Sequence, residues 1–106
     1  MKVIWSDFAS DTLISIYQYY KEAAIINVAR KIKADIFKST QKLIKNPESG
    51  PIELSLNAIG EGHRFLVVGN YKIVYKRVRE GILITDVFDA RQDPIKINDE
   101  ERNIKK

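Results

Sequence analysis

Residues 64–90 carry the sequence RFLVVGNYKIVYKRVREGILITDVFDA, and this stretch decides the fold. Three apolar, β-prone runs at 64–68, 71–78 and 82–90 predict three strands. Gly69-Asn70 between the first two runs is a two-residue hairpin turn, and residues 79–81 turn the chain again. The three strands are therefore predicted to pair antiparallel.

The middle run has two different faces, because successive side chains of a strand point to opposite sides of the sheet. One face carries Tyr71, Ile73 and Tyr75, and the other carries Lys72, Val74, Lys76 and Val78. If the aromatic face packs on helices, the lysines project from a partly open face. The valines beside the lysines leave the choice of buried face open. The run at 82–90 is apolar on both faces at its start, which predicts a central strand.

The first half of the chain predicts one strand and two helices. Residues 1–5 are apolar and β-prone, and Ser6 or Asp7 then caps a helix. Apolar residues recur from there at helical spacing, and they are Phe8, Leu13, Ile16, Tyr17, Tyr20 and Ala24. Next, either Asn27 caps a second helix or a tight corner joins the two. The helical period resumes at Val28 and ends before Pro47, so the helices form an antiparallel hairpin.

The remaining segments are predicted to be loops. Residues 47–62 hold two prolines and three glycines and form a loop with a brief extended piece at 52–56. In the polar tail, Asn98 and Glu101 are spaced to cap a final helical turn. The element order is thus β-α-α-β-β-β, an α+β fold with a helical hairpin packed on a small, mostly antiparallel sheet. One domain is predicted to span residues 1–106, with 98–106 as a polar C-terminal tail.

Composition excludes several classes of protein. The chain has 106 residues, 44% of them hydrophobic and 30% charged, which argues against disorder. It has no cysteine and one histidine, so disulfide scaffolds and thiolate metal sites are excluded and a zinc site would be unusual. No apolar run approaches the ~20 residues that span a bilayer, and Asp7 follows too soon for a signal peptide. We therefore expect a cytoplasmic protein with no metal, no cofactor and no membrane contact.

The net charge of +4 is concentrated in two blocks. Residues 30–45 hold six basic residues against one acid, and residues 61–80 hold five against two. Such blocks suit an acidic protein or a nucleic acid. A solvated helix face is the simpler interpretation of the first block.

Five short stretches carry a family resemblance. They are VIWS at 3–6, LISIYQYY at 13–20, NPESG at 46–50, GNYKIVY at 69–75 and VFDARQDP at 87–94. In this order, over about residues 1–97, they resemble the RelE/ParE toxin family of bacterial type II toxin–antitoxin (plasmid stabilisation) modules.

The resemblance implies a small growth-inhibiting toxin that is neutralised by a cognate antitoxin, in a toxin–antitoxin hetero-oligomer. RelE-like members cut mRNA in the ribosomal A site without metal, whereas ParE-like members inhibit DNA gyrase. The fold serves both activities, so the site must decide between them. Antitoxins of this family wrap an acidic segment over the toxin, and Lys31, Lys38 and Lys42 are therefore predicted to bind the antitoxin.

Metal-free RNA cleavage needs a base for the 2′-OH, cations for the phosphorane and an acid for the leaving oxygen. By position in the family pattern, the resemblance implies that Arg64, Lys72 and Arg91 are the catalytic cations of a nuclease. Lys76 and Arg77 are predicted to bind RNA or another target.

The chain departs from the nuclease pattern at the groups that transfer protons. RelE-like members usually carry a Tyr or His near the C-terminus, and here no Tyr follows Tyr75 and no His follows His63. Leu66 takes the approximate place of a second sheet lysine. Lysine and arginine are protonated near pH 7 and are poor general bases. Proton transfer would then fall to Asp89, Glu61 or His63.

Most of these candidates also have a purely structural interpretation. Arg64 would be a surface charge, the two sheet lysines a solvated pair, and Arg91 a partner of Asp89 or Asp93 at the strand exit. His63 is predicted to be solvent-exposed rather than catalytic. Four tyrosines at apolar spacing are predicted to be core or half-buried, namely Tyr17, Tyr20, Tyr71 and Tyr75.

Three functional hypotheses follow from the cations and the absent proton-transfer residue. We prefer a ParE-like toxin that binds and inhibits DNA gyrase without chemistry of its own. The alternative is a RelE-like nuclease acting on ribosome-bound mRNA. A third hypothesis is a degenerate member that only binds its antitoxin.

Overall fold

The computed structural model describes residues 2–90 and confirms the predicted order β-α-α-β-β-β. Its elements are β1 (Lys2–Trp5), α1 (Asp7–Glu22), α2 (Ile26–Gln41), β2 (Arg64–Val68), β3 (Tyr71–Val78) and β4 (Gly81–Asp89). A 3-10 turn at Lys42–Ile44 extends α2 toward Asn46-Pro47. The predicted helical turn at Asn98 lies outside the described residues. The single domain over residues 1–106 stays a prediction.

The four strands form one sheet in the order β1-β4-β3-β2, with β4 in a central position as predicted. β3 pairs antiparallel with both β2 and β4, whereas β1 pairs parallel with β4. Between β3 and β4 the register shifts by one residue, because Val74 lies opposite Asp86 while Tyr75 lies opposite Ile84. The extra residue, Thr85, forms a bulge in β4.

The helical hairpin is closed by a tight corner, one of the two predicted alternatives. Ser6 caps α1 by accepting a hydrogen bond from the backbone N–H of Ala9. Ala24 has φ of 61° and lies beyond α1, so its predicted place in the helical stripe is wrong. Asn27 lies inside α2, which begins after Ile25, so the prediction that Asn27 caps this helix is wrong. The N–H groups of Ala24 and Ile25 donate to the oxygens of Lys21 and Tyr20, so the turn at Ala24 caps the end of α1, and α2 begins without a side-chain cap.

The main core lies between the helices and one face of the sheet. Its fully buried members come from every layer, and they include Ala9, Ile36, Leu43, Ile73, Tyr75, Ile82, Ile84 and Val87. As predicted, Tyr71 and Tyr75 are buried, and Tyr17 and Tyr20 are half-buried. Gly81 allows β1 to pair closely, because a Cβ there would collide with the backbone of Lys2.

The opposite face of the sheet, here called the outer face, carries a smaller cluster. Val74 and Phe88 pack there under Leu56, with Phe65 beside them. Leu56 belongs to residues 51–62, which we call the strap, and the strap contains a 3-10 helix at Leu54–Ile59. The extended piece predicted at 52–56 is therefore wrong beyond Ile52, which bridges Arg64. The outer face is open at Val67, which is 62% exposed, but the strap closes it over the cluster.

Candidate functional site

Lys72 projects from β3 onto the outer face, where an acid of the strap binds it. Its Nζ donates to both carboxylate oxygens of Glu53, at 2.8 and 3.3 Å. The Glu53 side chain is 6% exposed and the Lys72 side chain 20%. The same Nζ lies 4.2 Å from the ring centroid of Phe65 and 5.9 Å from that of Phe88. This lysine is thus enclosed by a carboxylate and two aromatic rings.

Lys76 repeats the arrangement further along the same face. Its Nζ lies 3.1 Å from Oε1 of Glu61, at the other end of the strap. The Lys76 side chain is 22% exposed and that of Glu61 is 48% exposed. Each of the two outer-face lysines therefore has its own glutamate on the strap.

His63 is 2% exposed, so the prediction that it is solvent-exposed is wrong. Its backbone oxygen accepts a hydrogen bond from the N–H of Glu53, which ties the two ends of the strap together. Its Nε2 lies 3.9 Å from Oε1 of Glu61. His63 stands between the strap and β2, and the path of the chain at this junction is not visible in the local sequence.

Arg64 lies on the helix-facing side of the sheet, because it is opposite Tyr75 in the β2–β3 register. Its guanidinium donates to the backbone oxygen of Gly50 at 2.8 Å and to that of Glu48 at 3.4 Å. The N–H of Gly50 in turn donates to the Tyr75 hydroxyl at 3.0 Å. A Cβ on Gly50 would collide with the backbone of Phe65. Arg64 and Tyr75 therefore clasp the loop that leads into the strap.

The structure does not bring together the candidate catalytic cations that it describes. Arg64 points to the helix-facing side of the sheet and Lys72 to the outer face, so they do not converge on one phosphate in this conformation. Arg91, the third candidate, lies outside the described residues. The catalytic role of these three residues stays a prediction.

The remaining candidates are exposed cations. Arg77 lines a shallow groove with residues 45–49, which include Lys45. Lys31, Lys38 and Lys42 are exposed, and their spacing of seven and four residues puts them on one side of α2 and its 3-10 extension. Lys31 also pairs with Asp35 at 2.9 Å.

Within residues 2–90, no cluster of three or more His, Asp or Glu side chains is arranged to hold a metal ion. In the same part of the chain, no helix is long and apolar enough to cross a membrane.

Residues 3–94 match the family model described as the ParE toxin of the type II toxin–antitoxin system parDE. The chain belongs to this family of toxins. Among curated proteins, none matches it significantly. Membership of a type II system implies a cognate antitoxin as the partner of this ParE-family toxin.

Sequence reasoning found the outer-face lysines of this ParE-family toxin but missed their partners. Glu53 and Glu61 lie eight residues apart in a loop without periodicity, so no pattern links them to β3. The sequence held one weak signal for this pairing. Glu53 and Glu61 precede Lys72 and Lys76, which are four residues apart on one strand.

Proposed function

We propose that this ParE-family toxin arrests growth by binding DNA gyrase, without cleaving RNA, and that its cognate antitoxin neutralises it in a hetero-oligomer. The observation that carries the proposal is the state of Arg64 and Lys72. Each is already bound to oxygen atoms of the chain, and they face opposite sides of the sheet. A nuclease would need free cations converging on one phosphate.

The placement of the proton-transfer candidates supports the same proposal. His63 is buried, and Glu61 is paired with Lys76. Asp89 lies opposite Tyr71 at the far end of β3, four residues from the position that faces Arg64. At the rise of a strand this is about 13 Å along the sheet. Asp89 is therefore too far from Arg64 to transfer a proton beside it, and Glu61, which lines a pocket with Arg64, is already paired with Lys76.

Two exposed cationic surfaces are available for protein partners. We propose that Arg77 and Lys45, which line the groove at residues 45–49, contact the target together with Lys76, which shares a neighbouring pocket with Arg77. The lysines on the exposed side of α2, at 31, 38 and 42, are proposed to contact an acidic segment of the antitoxin. Since gyrase is a cytoplasmic enzyme, the proposal implies that the toxin acts in the cytoplasm.

The deciding experiment compares gyrase and translation directly. Purified toxin is added to gyrase, ATP and relaxed plasmid, and separately to a cell-free translation reaction in which mRNA ends are mapped. We expect supercoiling to stop while ribosome-bound mRNA stays intact. Codon-spaced cuts in mRNA with normal supercoiling would support the nuclease alternative and overturn the proposal. Neither effect, with antitoxin binding retained, would indicate a member that only binds its antitoxin.

Charge-reversal variants test the proposed target surface. R77E removes an exposed cation from the groove, whereas R79E makes the same change in the exposed turn between β3 and β4. We expect R77E to raise the toxin concentration needed for half-inhibition of gyrase by about tenfold, about 1.4 kcal/mol, and R79E to leave it near the wild-type value. Equal effects of the two variants would reject the assignment of Arg77.

The antitoxin surface is tested by salt dependence. Association of the co-expressed antitoxin should weaken as the salt concentration rises, because exposed charge pairs are screened. The K31Q/K38Q/K42Q variant should reduce that dependence, and K2Q/K21Q/K33Q removes the same charge as a control. An unchanged salt dependence in the first variant would reject these lysines as the contact.

A further inference from the structure

We propose that a pocket between α1 and the sheet, here called the tyrosine pocket, binds a linear polyamine. The pocket has a volume of about 350 Å³, and its lining includes three tyrosines and one acid, namely Tyr19, Tyr20, Tyr71 and Asp89. None of these residues belongs to the two cationic surfaces proposed to contact gyrase and the antitoxin. The inference is therefore independent of the proposed function.

Three elements of the fold bring the lining residues together. Tyr71 at the start of β3 lies opposite Asp89 at the end of β4, so both side chains are on the helix-facing side of the sheet. Tyr20 of α1 meets Tyr71 there, with their hydroxyl oxygens 3.5 Å apart. Tyr19 packs against Tyr20 with ring centroids 5.1 Å apart and ring planes at 88°. The rings and the carboxylate thus converge on one pocket.

This combination of groups suits an organic cation. An ammonium group is attracted to the faces of aromatic rings, and it donates hydrogen bonds to carboxylate and phenol oxygens. Tyr19 is 68% exposed, and a single exposed aromatic ring would need no special role. Here, however, the exposed ring lies beside two more tyrosines and a carboxylate. Aromatic cages that bind ammonium ions are built in this way.

The surroundings of the pocket are acidic, although the chain as a whole carries a net charge of +4. Asp11 and Glu22 are exposed, and they lie four residues before Ser15 and three residues after Tyr19. These spacings put both acids on the side of α1 that lines the pocket. They are separated by about 16 Å along the helix, with the pocket between them.

The spread of these carboxylates favours a ligand with several positive charges. A linear polyamine carries its ammonium groups along a flexible chain, so one group can enter the pocket beside Asp89 while others meet the acids on the rim. A single lysine side chain of a partner protein would satisfy only one of them. We therefore assign the pocket to a free polyamine.

The test uses the full chain and spermine, with binding followed by isothermal titration calorimetry at constant ionic strength. We expect saturable binding by the wild type. D89N removes the carboxylate of the pocket, whereas E80Q removes the same charge in the exposed turn at the other end of β3 and β4. D89N should weaken binding by about tenfold, the loss expected for a charge-assisted hydrogen bond, and E80Q should leave it near the wild-type value. Equal losses would mean that net charge alone drives binding and would overturn the proposal.

A second pair of variants tests the contribution of the exposed ring. Y19L removes the aromatic ring but keeps an apolar side chain, whereas Y19F keeps the ring. We expect Y19L to weaken spermine binding by about threefold, as for a cation–π contact at an exposed site, and Y19F to bind like the wild type. Equal affinities of these two variants would exclude the ring contact and reject the pocket as the site.

Further measurements keep the proposal falsifiable. If circular dichroism shows that D89N does not fold, D11N/E22Q replaces it, with E48Q/E80Q as the control that removes the same charge at exposed positions. D11N/E22Q should weaken binding by about threefold relative to that control. The absence of saturable binding by the wild type would overturn the proposal, as would displacement of spermine by Mg²⁺ at the same concentration of positive charge. Equally tight binding of Nα-acetyl-lysine amide would indicate a protein side chain as the ligand and reject the assignment to a polyamine.

Discussion

The two faces of the sheet are built on different principles, although one strand serves both. On the helix-facing side, β3 contributes Tyr71, Ile73 and Tyr75 to a large apolar core. On the outer face it contributes Val74 to a small cluster and two lysines to ion pairs with the strap. The first side is covered by two helices of 16 residues, and the second by a loop with one short 3-10 helix.

This difference determines how mutation, charge and salt affect each face of the sheet. Apolar burial is non-directional, so the helix-facing core stays intact as long as volume is filled. An ion pair needs one specific partner, and the loss of either member leaves the other charge in a poorly hydrated place. We therefore expect the helix-facing side to set global stability and the outer face to respond to charge and salt.

The largest expected loss of stability comes from truncating a side chain in the helix-facing core. I73A truncates a fully buried side chain and should lower the free energy of unfolding by about 3 kcal/mol. L56A truncates an equally buried side chain under the strap and should lower it by about 2 kcal/mol or less, because the strap can detach without global unfolding. Urea denaturation measures both. Equal losses would show that the two faces form one cooperative unit.

The next effect tests the ion pair of the outer face. E53Q leaves Lys72 without its carboxylate and should destabilise the protein by about 2 kcal/mol, less than for a fully buried pair because Lys72 keeps some solvent contact. K72M and the double variant E53Q/K72M complete a double-mutant cycle. The double variant should be more stable than the sum of the single effects predicts. Additive effects would mean that the pair is not coupled.

A smaller effect concerns the clasp that Arg64 and Tyr75 form on the loop at Gly50. R64M removes the hydrogen bonds to the oxygens of Gly50 and Glu48 and should lower stability by about 1 kcal/mol. The N–H of Phe65, which donates to the oxygen of Pro51, should exchange with solvent faster. R79M, in the exposed turn after β3, is the control and should stay within about 0.5 kcal/mol of wild type. Unchanged exchange at Phe65 would exclude a clasp.

The smallest expected effect comes from an exposed ion pair, which is compared with the partly buried pair of Glu53 and Lys72. Lys31 and Asp35 form an exposed pair on α2, with side chains 76% and 46% exposed. K31M should change the free energy of unfolding by about 0.3 kcal/mol, the size of an i,i+4 pair on a helix surface. Thermal unfolding in low and high salt measures it. A loss as large as that of E53Q would contradict the contrast.

Much of the fold was predictable because its signals are local. The alternation of β3, the Gly69-Asn70 turn and the cap at Ser6 each depend on a few neighbouring residues, and all three are confirmed. The failures lie where local signals compete. Asn27 is a good helix cap by residue type, but the backbone corner at Ala24 starts α2 before it.

The candidate site was predictable as a set of cations but not as an arrangement. Period-two alternation correctly put Lys72 and Lys76 on one face of β3. The orientation of Arg64 toward the Gly50 loop depended on its pairing with Tyr75, which is a contact between two strands. The burial of His63 depended on the path of the strap, which no periodicity encodes.

The sequence by itself determined the elements, their order and the family to which the chain belongs. These follow from backbone preferences and side-chain periods, which act within a few residues. Only the tertiary structure decided which acids neutralise the sheet lysines, which side of the sheet Arg64 serves and what covers the outer face. Those outcomes rest on contacts between residues far apart in the chain, such as Glu53 with Lys72, whose free energy exists only once the sheet has formed.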